Sequence, residues 1–384
     1  MSMTVTPAAL TDEERAAIID AVREFAQSRL APNALDWDRR KHFPRDVLAE
    51  AGELGLGGIS VRDDVGGAGL RREDAAAIFE VLAMGDPTIA AYISINNMVA
   101  WMIDTFGTDD QRRRWLPNLV AMTELGSYCL TEPGAGSDAA AITTSAIPDG
   151  DEYVLTGVKQ FISGAGAAAV YVVMARTGAP GAKGITAFLV PADSAGLSFG
   201  PNEHKMGWNA QPTRQVILDE VRVPASAVLG EVGAGFRIAM KGLNGGRVNI
   251  AACSIGGAQW ALDRAVRYVH ERFTFGEALA ERQTVVFALA DMATQLQAAR
   301  ALVQGAARAI DEGAPDVAVQ CAMAKRFATD AVFEVANQAL QLHGGYGYLQ
   351  EYGIEKVVRD LRVHQILEGT NEIMRVIIGR GVLG

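Results

Sequence analysis

One change of rhythm constrains the fold of this chain more than any other feature. From Tyr153 to about Val223 the apolar residues fall in short runs: YVL, AVYVVMA, ITAFLV and RQVILDEVRV. Gly and Pro break them at close spacing, including Gly178 to Gly184 and Pro191. Short runs rich in β-branched and aromatic residues between turn formers read as strands. No ten-residue helical pattern separates them, so βαβ crossovers are not expected and the sheet reads as mainly antiparallel.

On both sides of this stretch the period is helical. Thr11 and Glu14 form a capping box, after which Ile18, Ile19, Val22, Phe25 and Ala26 recur on one face. Thr108 and Gln111 repeat the signal before a second helix, which Pro117 is expected to interrupt or kink. Asp64 to Gly69 (DVGGAG) reads as a loop. Helical periodicity returns near Gly233, with Trp260, Leu262, Ala265, Val266 and Val269 on one side. Thr284 to Glu312 and Asp316 to Leu342 are rich in Ala, Leu, Gln and Val, as packed helices are. The fold class is therefore α+β: an N-terminal helical domain over 1–125, a central antiparallel β domain over 126–232 and a C-terminal helical bundle over 233–384. The wide Ala-rich stripes of the last helices suit burial against other subunits or a large monomeric core.

Composition removes several functions. A net charge of −10 argues against sequence-independent nucleic-acid binding, which needs a basic stripe. Cys129, Cys253 and Cys321 are scattered without metal-ligand spacing, so no metal site is expected and the thiols suit a reducing compartment. Met1 to Leu10 has neither a basic residue nor an apolar run of signal length. No segment reaches the roughly 20 apolar residues of a membrane span. These features lead us to expect a soluble, cytoplasmic protein with no membrane insertion.

Four constellations carry chemistry. Tyr128 to Asp138 reads YCLTEPGAGSD: Pro133 ends regular structure, Gly134 and Gly136 let backbone amides approach a ligand, and Thr131 and Ser137 add hydroxyls. A polar turn would look the same, but this one lies at the helical-to-β junction, where ligand sites are favoured. Arg272 to Gly276 (RFTFG), followed by Arg282 and Gln283, reads as a helix end, a turn and a new helix. Gln341 to Tyr348 (QLHGGYGY) closes a long helix with C-cap glycines. Last comes ILEGTNE, Ile366 to Glu372, in which Glu368 and Glu372 read equally well as carboxylates favoured near a helix start.

These segments together resemble the acyl-CoA dehydrogenase family, from TEPGAGSD to the end of the chain. The resemblance implies FAD as cofactor, held by Tyr128, Thr131, Gly136 and Ser137 and by Phe161, Ile162 and Ser163 against the flavin ring. The family often has Trp and Thr where this chain has Phe161 and Ser163; Phe keeps a flat apolar face and Ser a hydroxyl. It further implies that Arg272, Thr274, Arg282, Gln283, Gln341, His343, Gly344 and Gly345 contact the dinucleotide, often across a subunit boundary, and that Thr370, Asn371 and Glu372 do so after the catalytic segment. A guanidinium suits a pyrophosphate because it makes two parallel charge-assisted bonds. By the same resemblance Glu368 is the catalytic base, and Ser137, Asn244, Arg247 and Arg380 contact the acyl-CoA. Asn244 stands where many members have Asp. Members that carry the base on another helix have it at the position of Gly246, which cannot serve.

The implied reaction removes the α-proton of a thioester by Glu368 and the β-hydrogen as hydride to flavin N5. Burial raises the carboxylate's proton affinity, and N–H donors at the thioester oxygen contribute about 3–4 kcal/mol each. Ala239 to Gln259 and Gln341 to Glu372 look most like the branch acting on isobutyryl-CoA in valine breakdown, with butyryl-CoA and 2-methylbutyryl-CoA as alternatives. A methyl group is worth only about 1–3 kcal/mol of discrimination. The segment from Thr88 to Trp101 is expected to line the acyl end, and because Val81 to Gln111 holds no Lys or Arg, no cation is expected there to pair with a second carboxylate. The resemblance also implies a homotetramer and an electron-transfer flavoprotein as acceptor. An acyl-CoA oxidase would be longer, with a further helical domain. A flavin-binding relative acting on nucleic acid would need a basic surface.

Overall fold

A computed structural model describes residues 10–384; the reading of Met1 to Leu10 as free of a targeting signal falls, but for Leu10, outside the described residues. Six α-helices come first: α1 (Asp12–Phe25), α2 (Ala34–Arg40), α3 (Arg45–Glu53), α4 (Arg72–Gly85), α5 (Pro87–Phe106) and α6 (Asp109–Val120). Both capping boxes form, at Thr11 with Glu14 and at Thr108 with Gln111. Pro117 does not interrupt its helix, which runs on to Val120. The residue lies in the last turn, so its missing N–H removes only one bond from a helix about to end.

The sheet follows: β1 (Gly126–Cys129), β2 (Ser145–Asp149), β3 (Glu152–Ser163), β4 (Val170–Arg176), β5 (Ile185–Pro191), β6 (Leu197–Phe199), β7 (Thr213–Pro224) and β8 (Val228–Leu229). Its order is β6-β7-β3-β2-β4-β5-β8, with β1 on β4. The pairings are antiparallel except β1 on β4 and the single β2–β4 bridge. A helix is not needed for the parallel β1–β4 pair, because the β2–β3 hairpin serves as its crossover.

The bundle is built on α7 (Gly235–Glu271), which runs 37 residues without interruption. A small hairpin, β9 (Phe273–Thr274) and β10 (Glu277–Ala278), leads to α8 (Gln283–Asp311), α9 (Val317–Leu342), α10 (Ile354–Arg362) and α11 (Asn371–Leu383). Helix α7 packs on α8 and α9, and also on α4 and α5 of the N-terminal helices. It is buried nearly all round along its middle, which explains its small residues: at Gly256 a Cβ would lie 2.0 Å from the Glu80 carbonyl oxygen. Of the expected α7 face, Leu262, Ala265 and Val269 are buried and Trp260 is partly so, but Val266 is exposed in the single chain. All three cysteines are buried and free. Among the described residues no helix is long and apolar enough to cross a membrane, and no cluster suited to a metal ion occurs.

Candidate functional site

The loop after β1 is fixed to the sheet by a buried ion pair. Glu132 accepts from Lys159 Nζ of β3 at 2.7 Å and from the Thr143 and Thr144 N–H groups at 2.6 and 2.9 Å. Burial would raise the Glu132 pKa, but Lys159 and the amides hold it at about 2. The Gln160 N–H donates to the Thr131 carbonyl at 2.8 Å, so the Thr131–Ser137 loop lies beside Phe161. There the β3–β7 register slips between Lys159 and Ile162, and this bulge turns Phe161 outward. Phe161 takes φ 58° and is 63 % exposed, while Ile162 is buried. Cβ atoms built at Gly134 and Gly136 would meet nothing within 4 Å, so the loop borders open space. The Tyr128 hydroxyl is buried without a partner, and burial first, then the Glu368 charge, pushes its pKa up.

Glu368 itself is held in the left-handed region, φ 55°, followed by Gly369 at φ 95°. Such a conformation costs a non-Gly residue about 1–3 kcal/mol and persists only where its surroundings fix it. Two buried cations do so. Arg247 Nε of α7 donates to the Glu368 carbonyl at 3.2 Å, and Lys325 Nζ of α9 donates to the Gly369 carbonyl at 2.9 Å. The residue as a whole is only partly covered, yet Oε2 of its carboxylate is buried and unpartnered. Burial pushes its pKa up to about 7, against the opposing pull of Arg247 and Lys325. Burial also lowers the Arg247 pKa and brings Lys325 to about 8. The carboxylate lies directly over Gly246, where a Cβ would sit 2.1 Å from Oε2. Among the described residues no acceptor bonds the Glu368 N–H.

Of the neighbouring expected residues, Asn244 accepts from Arg247 Nη1 at 3.0 Å. Thr370 caps α11 by accepting from the Ile373 N–H at 3.3 Å, and Glu372 is exposed beside Arg375. The Asn371 side chain is buried and already engaged by Lys325, Thr329 and Asp330. Ser163 lies at the end of β3, its carbonyl accepting from Ser127 at 2.7 Å, and Ser137 is exposed on its loop. Arg380 is exposed in the last turn of α11, roughly 13 Å along the helix from Asn371.

The remaining expected contacts form a second, separate group. Arg272, Thr274, Gln341, His343, Gly344 and Gly345 line a cavity of about 390 Å³ with Tyr268 and Tyr346. His343 stacks on Tyr268 with centroids 4.3 Å apart, and Arg282 Nη2 donates to the Thr274 carbonyl at 2.7 Å. Gln283, exposed, begins α8 beside them. Twenty-five residues of helix (247 to 272) separate Arg247 from Arg272, roughly 37 Å at 1.5 Å per residue.

Three residues escaped the sequence reading. Lys325 carried a signal, a lysine on the buried face of an Ala-rich helix. Trp208 carried none. Arg72 corrects an expectation: α5 has no cation of its own, but the Arg72 guanidinium of α4 lies 5.0 Å from the Trp101 ring, and a Cβ on Gly245 would meet its Nη1 at 2.9 Å. A cation therefore does border that helix, supplied by a segment outside the Val81–Gln111 window.

Helices, sheet and bundle in this order meet at a carboxylate oxygen that is buried and unpaired, and the relatives of this chain make it an oxidoreductase acting on CH–CH bonds. Models of the N-terminal, middle and C-terminal domains of acyl-CoA dehydrogenase match residues 12–123, 127–221 and 233–383. The chain is 50% identical to the mitochondrial isobutyryl-CoA dehydrogenase of Bos taurus, covering 99% of this chain and 91% of that one. It is 53% identical to the mitochondrial isobutyryl-CoA dehydrogenase of Dictyostelium discoideum, covering 93% and 86%. The structure of butyryl-CoA dehydrogenase from Megasphaera elsdenii superposes with a TM-score of 0.94 at 38% identity, covering 98% of this chain and 100% of the other. The chain belongs to the acyl-CoA dehydrogenase family.

Proposed function

We propose that this enzyme oxidises a short branched acyl-CoA, isobutyryl-CoA first, to the 2-enoyl thioester, with Glu368 as the base. The observation that carries the reading is the Glu368 carboxylate: with Oε2 buried and unpartnered and its pKa pushed up to about 7, it is poised to take a proton near neutral pH. Its own N–H, free of protein acceptors, suits the thioester oxygen on which negative charge develops. Arg247 and Lys325 pin the two carbonyls of the Glu368–Gly369 turn, so the base needs no rearrangement to act.

The residues fit FAD. The open space over Gly134 and Gly136, the outward Phe161 ring and the orphaned Tyr128 hydroxyl form a cradle for a flat polar ring. Gly344 and Gly345 likewise meet nothing within 4 Å where a Cβ would stand. When bound, the flavin would supply the hydride acceptor. Arg272 lies roughly 37 Å along α7 from Arg247, which pins the turn of the base; with the family resemblance this separation supports a cofactor site completed by a second copy and a homotetramer. On that resemblance the domains divide near residues 125 and 232, and the electrons leave to an electron-transfer flavoprotein.

The test is anaerobic titration of the purified yellow protein with isobutyryl-CoA. Bleaching of the flavin absorbance is expected; protein that binds no FAD, or FAD that stays oxidised with every short acyl-CoA, overturns the reading.

A further inference from the structure

Trp208 stands in the loop between β6 and β7, outside the motif segments named above. Its φ is 57°, the left-handed region that a bulky side chain avoids, and the loop around it is tied down at four successive residues. Arg359 Nη1 donates to the Met206 carbonyl at 3.1 Å. Gly207 packs so closely on α10 that a Cβ would lie 2.6 Å from the Arg359 carbonyl. The Trp208 N–H donates to Asp360 Oδ1 at 2.6 Å, and Asn209 Nδ2 donates to Asp38 Oδ1 at 2.9 Å. Asp360 is itself buried, bonded to Lys356 at 2.7 Å and to the Thr88 hydroxyl at 3.0 Å. A strained residue fixed this thoroughly is a feature of sites that shape a ligand.

What the indole touches points to the ligand. It is 5 % exposed and clusters with Ala91 of α5, Ile250 of α7, Val363 and Leu367. Ile250 follows Gly246 by four residues, so the two share one face of α7. Gly246 is the residue under the Glu368 carboxylate, and Leu367 directly precedes that residue. The indole therefore closes the same face about one helical turn, roughly 5.4 Å, beyond the carboxylate. The buried His364 ring lies edge-on to the indole with centroids 5.4 Å apart, but the indole N–H has no acceptor, so shape rather than a hydrogen bond explains a Trp here. Asn244, a polar group suited to the CoA arm, precedes Gly246 on α7 and so lies away from Ile250 along the helix axis.

Resting on the acyl-CoA reading, we propose that Trp208 is the end wall of the acyl pocket and sets the chain-length limit of the enzyme. A thioester with its α-carbon at Glu368 then has room for a short branched chain before it meets the indole. A straight chain two methylenes longer than butyryl has nowhere to go.

The experiment compares kcat/KM for isobutyryl-, butyryl- and hexanoyl-CoA in the holoenzyme and in Trp208→Ala, with flavin absorbance confirming loading. Each methylene admitted to an apolar pocket is worth about fourfold, so the hexanoyl-to-isobutyryl ratio is expected to rise at least about tenfold. A residue that only supports the fold would depress all three substrates together, and an unchanged ratio overturns the proposal. If Trp208→Ala does not fold with bound flavin, Trp208→Phe must shift the ratio the same way by about threefold or the proposal fails. Wild-type enzyme that oxidises none of the thioesters refutes the activity itself; wild-type turnover with an unshifted variant ratio refutes only the role of Trp208.

Discussion

Replacing Glu368 with Gln separates the carboxylate's chemistry from its cost to the fold. In the unfolded chain the group titrates near 4.5, and in the native protein near 7. A carboxylate whose native pKa is raised binds more protons folded than unfolded between those values, so stability falls as pH rises through that window. The full difference is about 2.5 pKa units, or roughly 3 kcal/mol at 1.36 kcal/mol per unit. Between pH 5 and pH 8 about 2–3 kcal/mol of it is lost, because the unfolded group is already mostly ionised at pH 5. The amide is isosteric and does not titrate, so Glu368→Gln should lack this decline while losing at least about 10³-fold in turnover. Urea unfolding of both holoproteins at pH 5 and pH 8 measures it, since the titrating groups that do not feel the Glu368 charge cancel in the comparison, leaving Lys325 as the main coupled one. Equal pH dependence in the two proteins would refute the buried, proton-holding carboxylate, and full turnover by the variant would move the base elsewhere.

Gly246→Ala should keep flavin binding but lose activity by about 100-fold or more, since its Cβ would overlap Glu368 Oε2 at 2.1 Å and displace the base; steady-state kinetics with flavin absorbance as control check this. Lys325→Met removes a charge that lowers the Glu368 pKa, so the rising limb of the pH profile of kcat/KM should move above about 7. The same variant frees the Gly369 carbonyl and Asn371 Oδ1 and should lose about 1–3 kcal/mol in urea unfolding.

The segments of the candidate site were legible in the chain because its pieces are local, though their roles came from the family resemblance. TEPGAGSD needs only its own glycines and proline to make an open loop, and ILEGTNE needs only its own order to place a carboxylate before a helix cap. The helical and strand periods were equally plain, since apolar rhythm reports directly which face is covered. The misses share a different character. Pro117 was expected to interrupt or kink a helix and does not interrupt it, because how much a proline matters depends on where the helix ends. The parallel β1–β4 pair could not be read from strands separated by about forty residues, since register is a property of pairing partners.

The sequence by itself determined the order of helices, sheet and bundle, because that follows from neighbours within a few turns, whereas the loop from Thr131 to Ser137 and the carboxylate at 368 were singled out by the family resemblance. Only the tertiary structure decided what that carboxylate meets. Gly246 beneath it, Arg247 and Lys325 on its turn, Arg72 over Trp101 and the wall at Trp208 come from five different segments. Their effect on the pKa and on the shape of the cleft arises from burial and through-space charge, which depend on distance in the folded molecule and not on distance along the chain.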